Sequence, residues 1–325
     1  MEKMQLIKAG LVSIMLLPFG LTARADNMPD AKTELNAAID LLKARHMNSN
    51  KMDWPTVQTK ALAMLGSATK PEEAYAAIRY VIAQLGEKHT SMVPADAWKA
   101  MMTDTSVGKA RAPDWQPPEG HLLEGRIGLV ELKAYQGSPT DDLAYASAAR
   151  SALRTFADNH VCRYIVDLRF NTGGNMYPMI NGVEALLGKS PYGFWQATGG
   201  APDSSWTLKR GTFEHEGAPA DETVQSKAAV AVLIDRRTAS SGEFTAMAFE
   251  GRPNTRVFGE NSAGFLTFNS PAALPDGARL IISEGWATDR LRRPYRDVIA
   301  PDQATPRGQA TLDAAIVWLK NQPCP

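Results

Sequence analysis

The chain has 325 residues, and its 35 lysines and arginines balance its 35 aspartates and glutamates. This neutral balance gives no electrostatic argument for binding nucleic acid or an anionic membrane surface. Hydrophobic residues make up 44% of the chain, which is enough for a substantial core. The length fits one large domain, or a small domain followed by a medium one.

Residues 1–25 have the three parts of an export signal peptide. Lys3 and Lys8 precede the apolar run AGLVSIMLLPFGL, which is too short to cross a bilayer comfortably, and ARA at 23–25 fits a cleavage site. A buried N-terminal helix is the alternative interpretation. We therefore expect a mature chain that starts near Asp26 and is exported, either periplasmic or secreted, with no membrane segment once the signal is removed.

Residues 26–95 predict a small N-terminal helical domain. The segment DAKTELNAAIDLLKAR places apolar residues three and four apart, as on one face of a helix. A second helix is predicted in PEEAYAAIRYVIAQLG, because Pro71 suits a first turn and Gly86 suits a helix end. Residues 96–124 show little periodicity and indicate a linker that is too short for another domain of ordinary size.

Residues 125–325 predict an α/β core. Apolar strand patterns in RIGLVELKAY, CRYIVDLRF, AAVAVLIDRR and TRVFGE alternate with helical patterns, which indicates βαβ units around a mostly parallel sheet with flanking helices. The segment 190–227 interrupts this order. It is a long insertion containing Phe194, Trp195 and Trp206, and these aromatic side chains could line a substrate cleft or belong to the core.

The chain has two cysteines, Cys162 and Cys324. In an oxidising compartment they could form a disulfide that secures the C-terminal tail, and two free thiols are the alternative. The cysteines and histidines lack the spacing of a metal site, so we expect no metal.

The stretch IDRRTASSGEF, residues 234–244, is a candidate nucleophile turn. A buried strand runs through it into a helix, whose first amides can stabilise the oxyanion that forms when a serine attacks a carbonyl. The alternative is a simple helix cap formed by Ser240 or Ser241 with Glu243. The G-x-S-x-G signature of α/β-hydrolases is absent.

Two further features could complete such a site. The turn DLRFNTGG, residues 167–174, also follows a buried strand, and its glycines can direct amides into a cavity, although a tight turn alone would also need them. It lacks the G-x-G-x-x-G spacing of a dinucleotide site. His89 lies in the loop LGEKHTSMVP and is either a general base or a solvated loop histidine.

Five blocks of the sequence, taken in order, carry a resemblance to a known family. They are DWPTVQTKAL…AIRYVIAQLGEKHTSM, GLVELKAY, IVDLRFNTGG, VAVLIDRRTASSGEFTAMAFEGRPNTRVFGENSAG and IAPDQ. Together they resemble the tail-specific (C-terminal processing) serine peptidases, most closely the branch with the tricorn protease core and the interphotoreceptor retinoid-binding protein modules. The resemblance implies a crotonase/ClpP-like core and a peptide or protein substrate. Many members of that family carry a PDZ domain between the helical part and the core, but residues 95–124 leave no room for one here.

The resemblance also implies roles for individual residues. Ser240 matches the family's nucleophile, and the backbone amide of Ser241 matches one donor of the oxyanion hole. Gly173, with Gly174 as a second candidate, matches the other donor. Members with a Ser–Lys dyad carry a lysine where this chain has Phe265. The tricorn-like branch uses a histidine instead, and the matching residue is His89.

The acid that orients this histidine is harder to assign. The resemblance implies Asp297, but the alignment then needs a one-residue gap, and without the gap the position is Tyr295. Glu87 and Glu243 are the substitutes. A Ser–His mechanism implies no cofactor.

The sequence therefore predicts an exported serine endopeptidase that acts through Ser240 and His89. The main alternative is a catalytically inactive protein on the same scaffold that binds an apolar ligand or a peptide, since fold alone does not determine function. A crotonase-like acyl-CoA enzyme is a third possibility, disfavoured by export and by the serine turn. The oligomeric state is not predicted.

Overall fold

The computed structural model describes residues 29–103, 115–197, 204–206 and 227–324. The predicted signal peptide at 1–25 and most of the predicted insertion at 190–227 lie outside the described residues. The helices are α1 Ala31–Arg45, α2 Trp54–Leu65, α3 Tyr75–Ala83, α4 Ala95–Thr103, α5 Pro139–Asp158, α6 Met176–Gly182, α7 Glu184–Leu187, α8 Ser241–Met247 and α9 Gln309–Lys320. The strands are β1 Ser91–Val93, β2 Glu119–Leu123, β3 Ile127–Glu131, β4 Arg163–Asp167, β5 Gly193–Ala197, β6 Ser204–Ser205, β7 Ala229–Ile234, β8 Thr255–Gly259, β9 Thr267–Ala273, β10 Arg279–Asp289 and β11 Gln303–Ala304.

The first sheet is mostly parallel and confirms the predicted α/β class. Its strands run in the order β11-β8-β7-β4-β3-β2, and only the pairing of β2 with β3 is antiparallel among the described strands. Helices α5, α6 and α8 cover one face, and α9 covers the other. Strand β7 is buried along its whole length because both faces are covered, which explains its continuous apolar sequence.

Helix α5 begins with a capping box. Ser138 caps it by accepting a hydrogen bond from the Asp141 amide, and the Asp141 carboxylate accepts one from the Ser138 amide. Pro139 occupies the first turn, where a proline costs no hydrogen bond.

A second, antiparallel sheet was not predicted. It has the order β1-β10-β5-β6, with β9 on the other edge of β10. The N-terminal helices pack against it, so that Ile39 and Val81 share one buried cluster with Leu280 and Ile282. The predicted helical domain at 26–95 therefore shares its core with this sheet, and α4 and β2 occupy parts of the predicted linker at 96–124.

Cys162 and Cys324 form a disulfide, with 5.3 Å between their Cα atoms. The bond joins the start of β4 to the tail that follows α9. The guanidinium of Arg163 donates two hydrogen bonds to the carbonyl of Gln322, at 2.6 and 3.0 Å, and holds the same tail. Within the described part of the chain, no helix combines the length and hydropathy required to cross a membrane.

Candidate active site

The serine turn and the glycine turn lie side by side at one edge of the parallel sheet. Strands β4 and β7 are adjacent and parallel, with Asp167 opposite Leu233 near their carboxyl ends. The loops that follow two such strands necessarily meet, which is where open α/β sheets place their sites. The Ser241 hydroxyl donates a 2.6 Å hydrogen bond to the Gly174 carbonyl and ties the two turns together.

Ser240 lies at the N-cap of α8 in a backbone conformation that side chains rarely adopt, with φ +49° and ψ −118°. Such a conformation costs on the order of 1–3 kcal/mol and persists only where surrounding contacts enforce it. One such contact is the Glu243 carboxylate, which accepts the Ser240 amide at 2.8 Å. Ser240 and Glu243 thus form the helix cap that the alternative interpretation predicts, and this cap holds the turn in place.

Glu243 is a buried anchor for this turn. Besides the Ser240 amide, its carboxylate accepts the Ser262 hydroxyl and the amides of Gly264 and Phe265, the last two at 2.7 Å. Burial raises the pKa of Glu243, and these hydrogen bonds oppose the rise. Its oxygens are therefore occupied by the serine turn and by the 262–265 loop.

His89 lies in the loop between α3 and β1, and its Nε2 is 3.2 Å from Ser240 Oγ. These two residues are 151 positions apart in sequence. Because 3.2 Å is within hydrogen-bonding distance, the ring can accept the serine proton without rearrangement. The Phe265 ring, at the position where Ser–Lys relatives carry lysine, packs edge-on against the imidazole with 5.3 Å between centroids.

The other ring nitrogen of His89 contacts a hydroxyl. Its Nδ1 is 2.9 Å from Thr267 Oγ1, at the start of β9, and Thr267 Oγ1 is 3.1 Å from Ser283 Oγ on β10. If Nε2 is to accept the Ser240 proton, Nδ1 must carry the hydrogen and donate it to Thr267. The Thr267 hydroxyl can accept that hydrogen, so its position is compatible with the tautomer that a general base needs.

The environment of His89 favours the neutral ring. Burial lowers the pKa of His89 and the charge of Lys88 lowers it too, whereas the Glu87 carboxylate and a hydrogen bond with the Thr267 backbone raise it, so that the net shift is downward. A neutral imidazole is the form that can take a proton at neutral pH.

Among the described residues, no carboxylate bonds to the His89 imidazole. Glu87 binds backbone amides, Glu243 holds the serine turn, and neither bonds to the ring. The backbone of Asp297 packs closely against Gly264, since a Cβ atom added to Gly264 would lie only 2.0 Å from the Asp297 carbonyl oxygen. Tyr295, the residue at the ungapped position, donates to Asp289 instead. At Nδ1 the structure places the Thr267 hydroxyl, which sequence reasoning missed.

The glycine turn closes against the serine. Gly173 and Gly174 have φ of +103° and +114°, which favour glycine. A Cβ on Gly173 would lie 3.0 Å from Ser240 Cβ and 3.1 Å from the Ser241 nitrogen. A side chain at position 173 would therefore fill the space beside the hydroxyl.

Two amides at this point remain available for an oxyanion. The Gly173 amide donates to the Asn171 side chain at 3.0 Å. By contrast, the amides of Gly174 and Ser241 donate to no acceptor among the described residues. Gly174 is also an exposed residue.

Aromatic side chains of the predicted insertion lie behind α8. Trp206 is buried, and Trp195 packs against Trp206, Phe244 and Phe268, with centroid distances of 4.5 to 5.3 Å. Trp195 and Trp206 therefore pack in the core, which is one of the two roles that the sequence left open for them. Within the described residues, no group of three or more His, Cys, Asp or Glu side chains is arranged to hold a metal ion.

Comparison with known proteins gives a family match and several relatives. The model of peptidase family S41 matches residues 126–304. The chain is 28% identical over 299 residues to the nisin-resistance protein of Lactococcus lactis subsp. lactis, an alignment that covers 90% of this chain and 88% of the relative. It is 27% identical over 158 residues to the chloroplastic carboxyl-terminal-processing peptidase 2 of Arabidopsis thaliana, covering 49% of this chain and 27% of that protein.

Solved structures resemble the chain over most of its length. A lipoprotein from Streptococcus agalactiae superposes with a TM-score of 0.76 at 25% identity and covers 95% of this chain and 99% of its own. The photosystem II D1 C-terminal processing protease superposes with a TM-score of 0.63 at 14% identity, covering 91% of this chain and 98% of its own. At that identity the second likeness shows the fold alone.

Proposed function

The chain belongs to peptidase family S41, and from that membership we propose that it is an exported serine peptidase with Ser240 as nucleophile and His89 as general base. The observation that carries the proposal is the 3.2 Å contact between Ser240 Oγ and His89 Nε2. It is supported by the strained backbone of Ser240, since such conformations cluster at active sites.

The reaction would follow the serine peptidase scheme. His89 Nε2 takes the proton as Ser240 Oγ attacks the substrate carbonyl, and the imidazolium that forms is held through Nδ1–H on Thr267. The ring then passes the proton to the leaving amine. A water molecule, deprotonated by the same nitrogen, then attacks the acyl carbonyl, the bond between Ser240 Oγ and the acyl group breaks, and His89 returns the proton to Oγ.

The oxyanion would be held by the amides of Ser241 and Gly174. Both point from turns that flank Ser240, and both lack a protein acceptor among the residues described. Ser241 is the first residue of α8, so the partial positive charge of the helix N-terminus adds to its amide. The Gly173 amide already donates to the Asn171 side chain, so Gly173 would contribute by having no side chain in the space beside Ser240.

An exported location is supported by three observations. Residues 1–25 have the composition of a signal peptide. The Cys162–Cys324 disulfide is the type of bond that forms in oxidising compartments. The names of two relatives, a nisin-resistance protein and a lipoprotein, agree with a substrate met outside the cytoplasm. We propose a peptide or protein as that substrate.

Labelling with a fluorophosphonate tests the proposal. This reagent should modify Ser240, so Ser240→Ala should abolish labelling and His89→Ala should slow it by several orders of magnitude. Ser241→Ala distinguishes the two neighbouring serines, because it should still be labelled. Ser151→Ala, on the exposed surface of α5, is the matched control.

Two results would contradict the proposal. Folded wild-type protein that is not labelled at any pH would favour the non-catalytic binding protein. Labelling that survives in Ser240→Ala would place the nucleophile elsewhere.

A further inference from the structure

We infer that Glu87, held in place by the buried His46, is the positioning residue of the catalytic base, fixing the His89 backbone and supplying the negative charge that no carboxylate supplies at Nδ1. This inference rests on the proposed function, since it assigns a role toward His89 as base. It differs from an ordinary triad, because the carboxylate acts from the backbone side of the histidine and not on its ring.

The protonation of His46 follows from its contacts. Its side chain is fully buried, and its Nδ1 accepts the backbone N–H of Asn48 at 3.0 Å. A backbone amide can only donate, so Nδ1 carries no hydrogen and the hydrogen of the neutral ring is on Nε2. That Nε2 lies 3.2 Å from Glu87 Oε1 and donates to it. His46 is therefore a fixed donor that orients the Glu87 carboxylate.

Glu87 in turn holds the loop that carries the base. Its Oε2 accepts the His89 amide at 2.6 Å, and its Oε1 accepts the Thr90 amide at 2.8 Å. Burial by itself would raise the pKa of Glu87, but the hydrogen bonds from His46, Thr90 and His89 outweigh it and bring the pKa to about 2. The carboxylate is thus anionic throughout the pH range in which a histidine base works.

Ser283 contacts both the loop that carries His89 and the threonine beside the His89 ring. The Thr90 hydroxyl accepts the Ser283 amide at 3.0 Å, and the Ser283 hydroxyl lies 3.1 Å from Thr267 Oγ1, which contacts the His89 ring. Hydrogen bonds made by Thr90, Ser283 and Thr267 therefore connect Glu87 with the His89 imidazole. Such a closed network restricts both the backbone and the ring, which is what a preorganised base needs.

The charges that act on the ring are few. Glu87 raises the pKa of His89 and Lys88 lowers it, and both lie on the base's own loop. Among the described residues, those that contact the ring from other elements are uncharged: Ser240 before α8, Phe265 before β9 and Thr267 at the start of β9. Glu87 is consequently the carboxylate that stabilises the imidazolium formed during the reaction.

The test uses the full chain and the rate of fluorophosphonate labelling measured from pH 5 to 9. Glu87→Gln removes the charge and keeps the shape. We expect the acid limb of its profile to move to lower pH by roughly half a unit to one unit, and its plateau rate to fall about tenfold or more. His46→Gln leaves the charge of Glu87 in place. The acid limb of its pH profile should therefore coincide with that of the wild type, while its plateau labelling rate falls a few-fold.

The outcomes separate this inference from the proposed function. If the wild type is not labelled, the proposed function fails. If the wild type is labelled but Glu87→Gln keeps the wild-type midpoint, Glu87 has only a structural role and the inference is overturned. If Glu87→Gln does not fold, Glu87→Asp provides the test. A pH profile with the wild-type midpoint and a plateau labelling rate at least about fivefold lower supports the positioning role, and a wild-type plateau rate overturns the inference.

Discussion

The hydroxyl of Thr267 lies 2.9 Å from Nδ1 of His89, where a Ser–His–acid triad would have its carboxylate. A hydroxyl can hold the tautomer and the ring orientation, but it carries no charge to stabilise the imidazolium. This separates two tasks that one acid usually performs together: Thr267 orients the ring, and a carboxylate away from the ring supplies the charge.

Thr267→Val tests the orienting role. Valine matches threonine in shape but lacks the hydroxyl that contacts Nδ1, so the ring loses a contact that fixes its orientation. We expect kcat to fall by about 10- to 100-fold with little change in KM, measured on any peptide that the wild type cleaves. Thr267→Ser keeps a hydroxyl and should stay within about threefold of the wild type. A wild-type kcat in Thr267→Val would remove this residue from the site.

The features that sequence patterns predict well are local ones. The capping box of Ser138 and Asp141 marks the start of α5, and the uninterrupted apolar run of β7 indicates a strand covered on both faces. The site turns follow from the same logic, because they come at the carboxyl ends of predicted strands. The proximity of Ser240 and His89, 151 residues apart, came from the family resemblance and not from periodicity.

The features that were missed depend on pairing between distant segments. Strand β9 reads TFNSPAA, without clear alternation and with Pro271 inside it, so it has no strand signal of its own. Its position is set by β10, and only that pairing brings Thr267 beside Ser283. The Glu87–His46 contact likewise joins residues 41 positions apart. No sequence motif predicts either of these two contacts.

The space beside Ser240 predicts the effect of Gly173→Ala. A methyl group there would lie 3.0 Å from Ser240 Cβ and 2.9 Å from the Ala239 carbonyl oxygen, and would crowd the position of an oxyanion. We expect kcat/KM to fall at least about 100-fold, which is the scale of losing an oxyanion-hole contact. Gly66→Ala is the matched control, because Gly66 also has a positive φ, +54°, but nothing lies within 4 Å of its added Cβ. Equal activity losses in both variants would argue for backbone strain alone.

The buried Glu34 predicts a pH dependence of stability. Burial, together with the hydrogen bond and charge of Asp276, raises the pKa of Glu34 from its usual 4.5 to about 8. Between those values the folded state holds a proton that the unfolded state has lost. Glu34 therefore favours folding most fully below about pH 4.5, and this contribution is lost as pH rises toward 8.

Glu34→Gln should remove that dependence. The amide resembles the protonated carboxyl and can still accept the Asp276 amide, which lies 3.2 Å from Glu34 Oε2. We expect the melting temperature of the variant, relative to wild type, to rise steadily from pH 5 to pH 8.5. Asp40→Asn, an exposed carboxylate on the same helix, serves as control and should show no such trend. A constant difference across this range would contradict the assignment.

The Cys162–Cys324 disulfide should contribute substantially to stability. It links residues that are 162 positions apart, and in the chain-entropy model a loop of that size contributes about 5 kcal/mol, with measured values often lower. Reductant should lower the wild-type melting temperature by on the order of 10 °C. Cys324→Ser should melt near the reduced wild type and not respond to reductant, because Arg163 still holds the tail through the Gln322 carbonyl. Identical melting with and without reductant, in protein shown by thiol titration to release two thiols, would mean that the bond constrains the unfolded chain far less than its span implies.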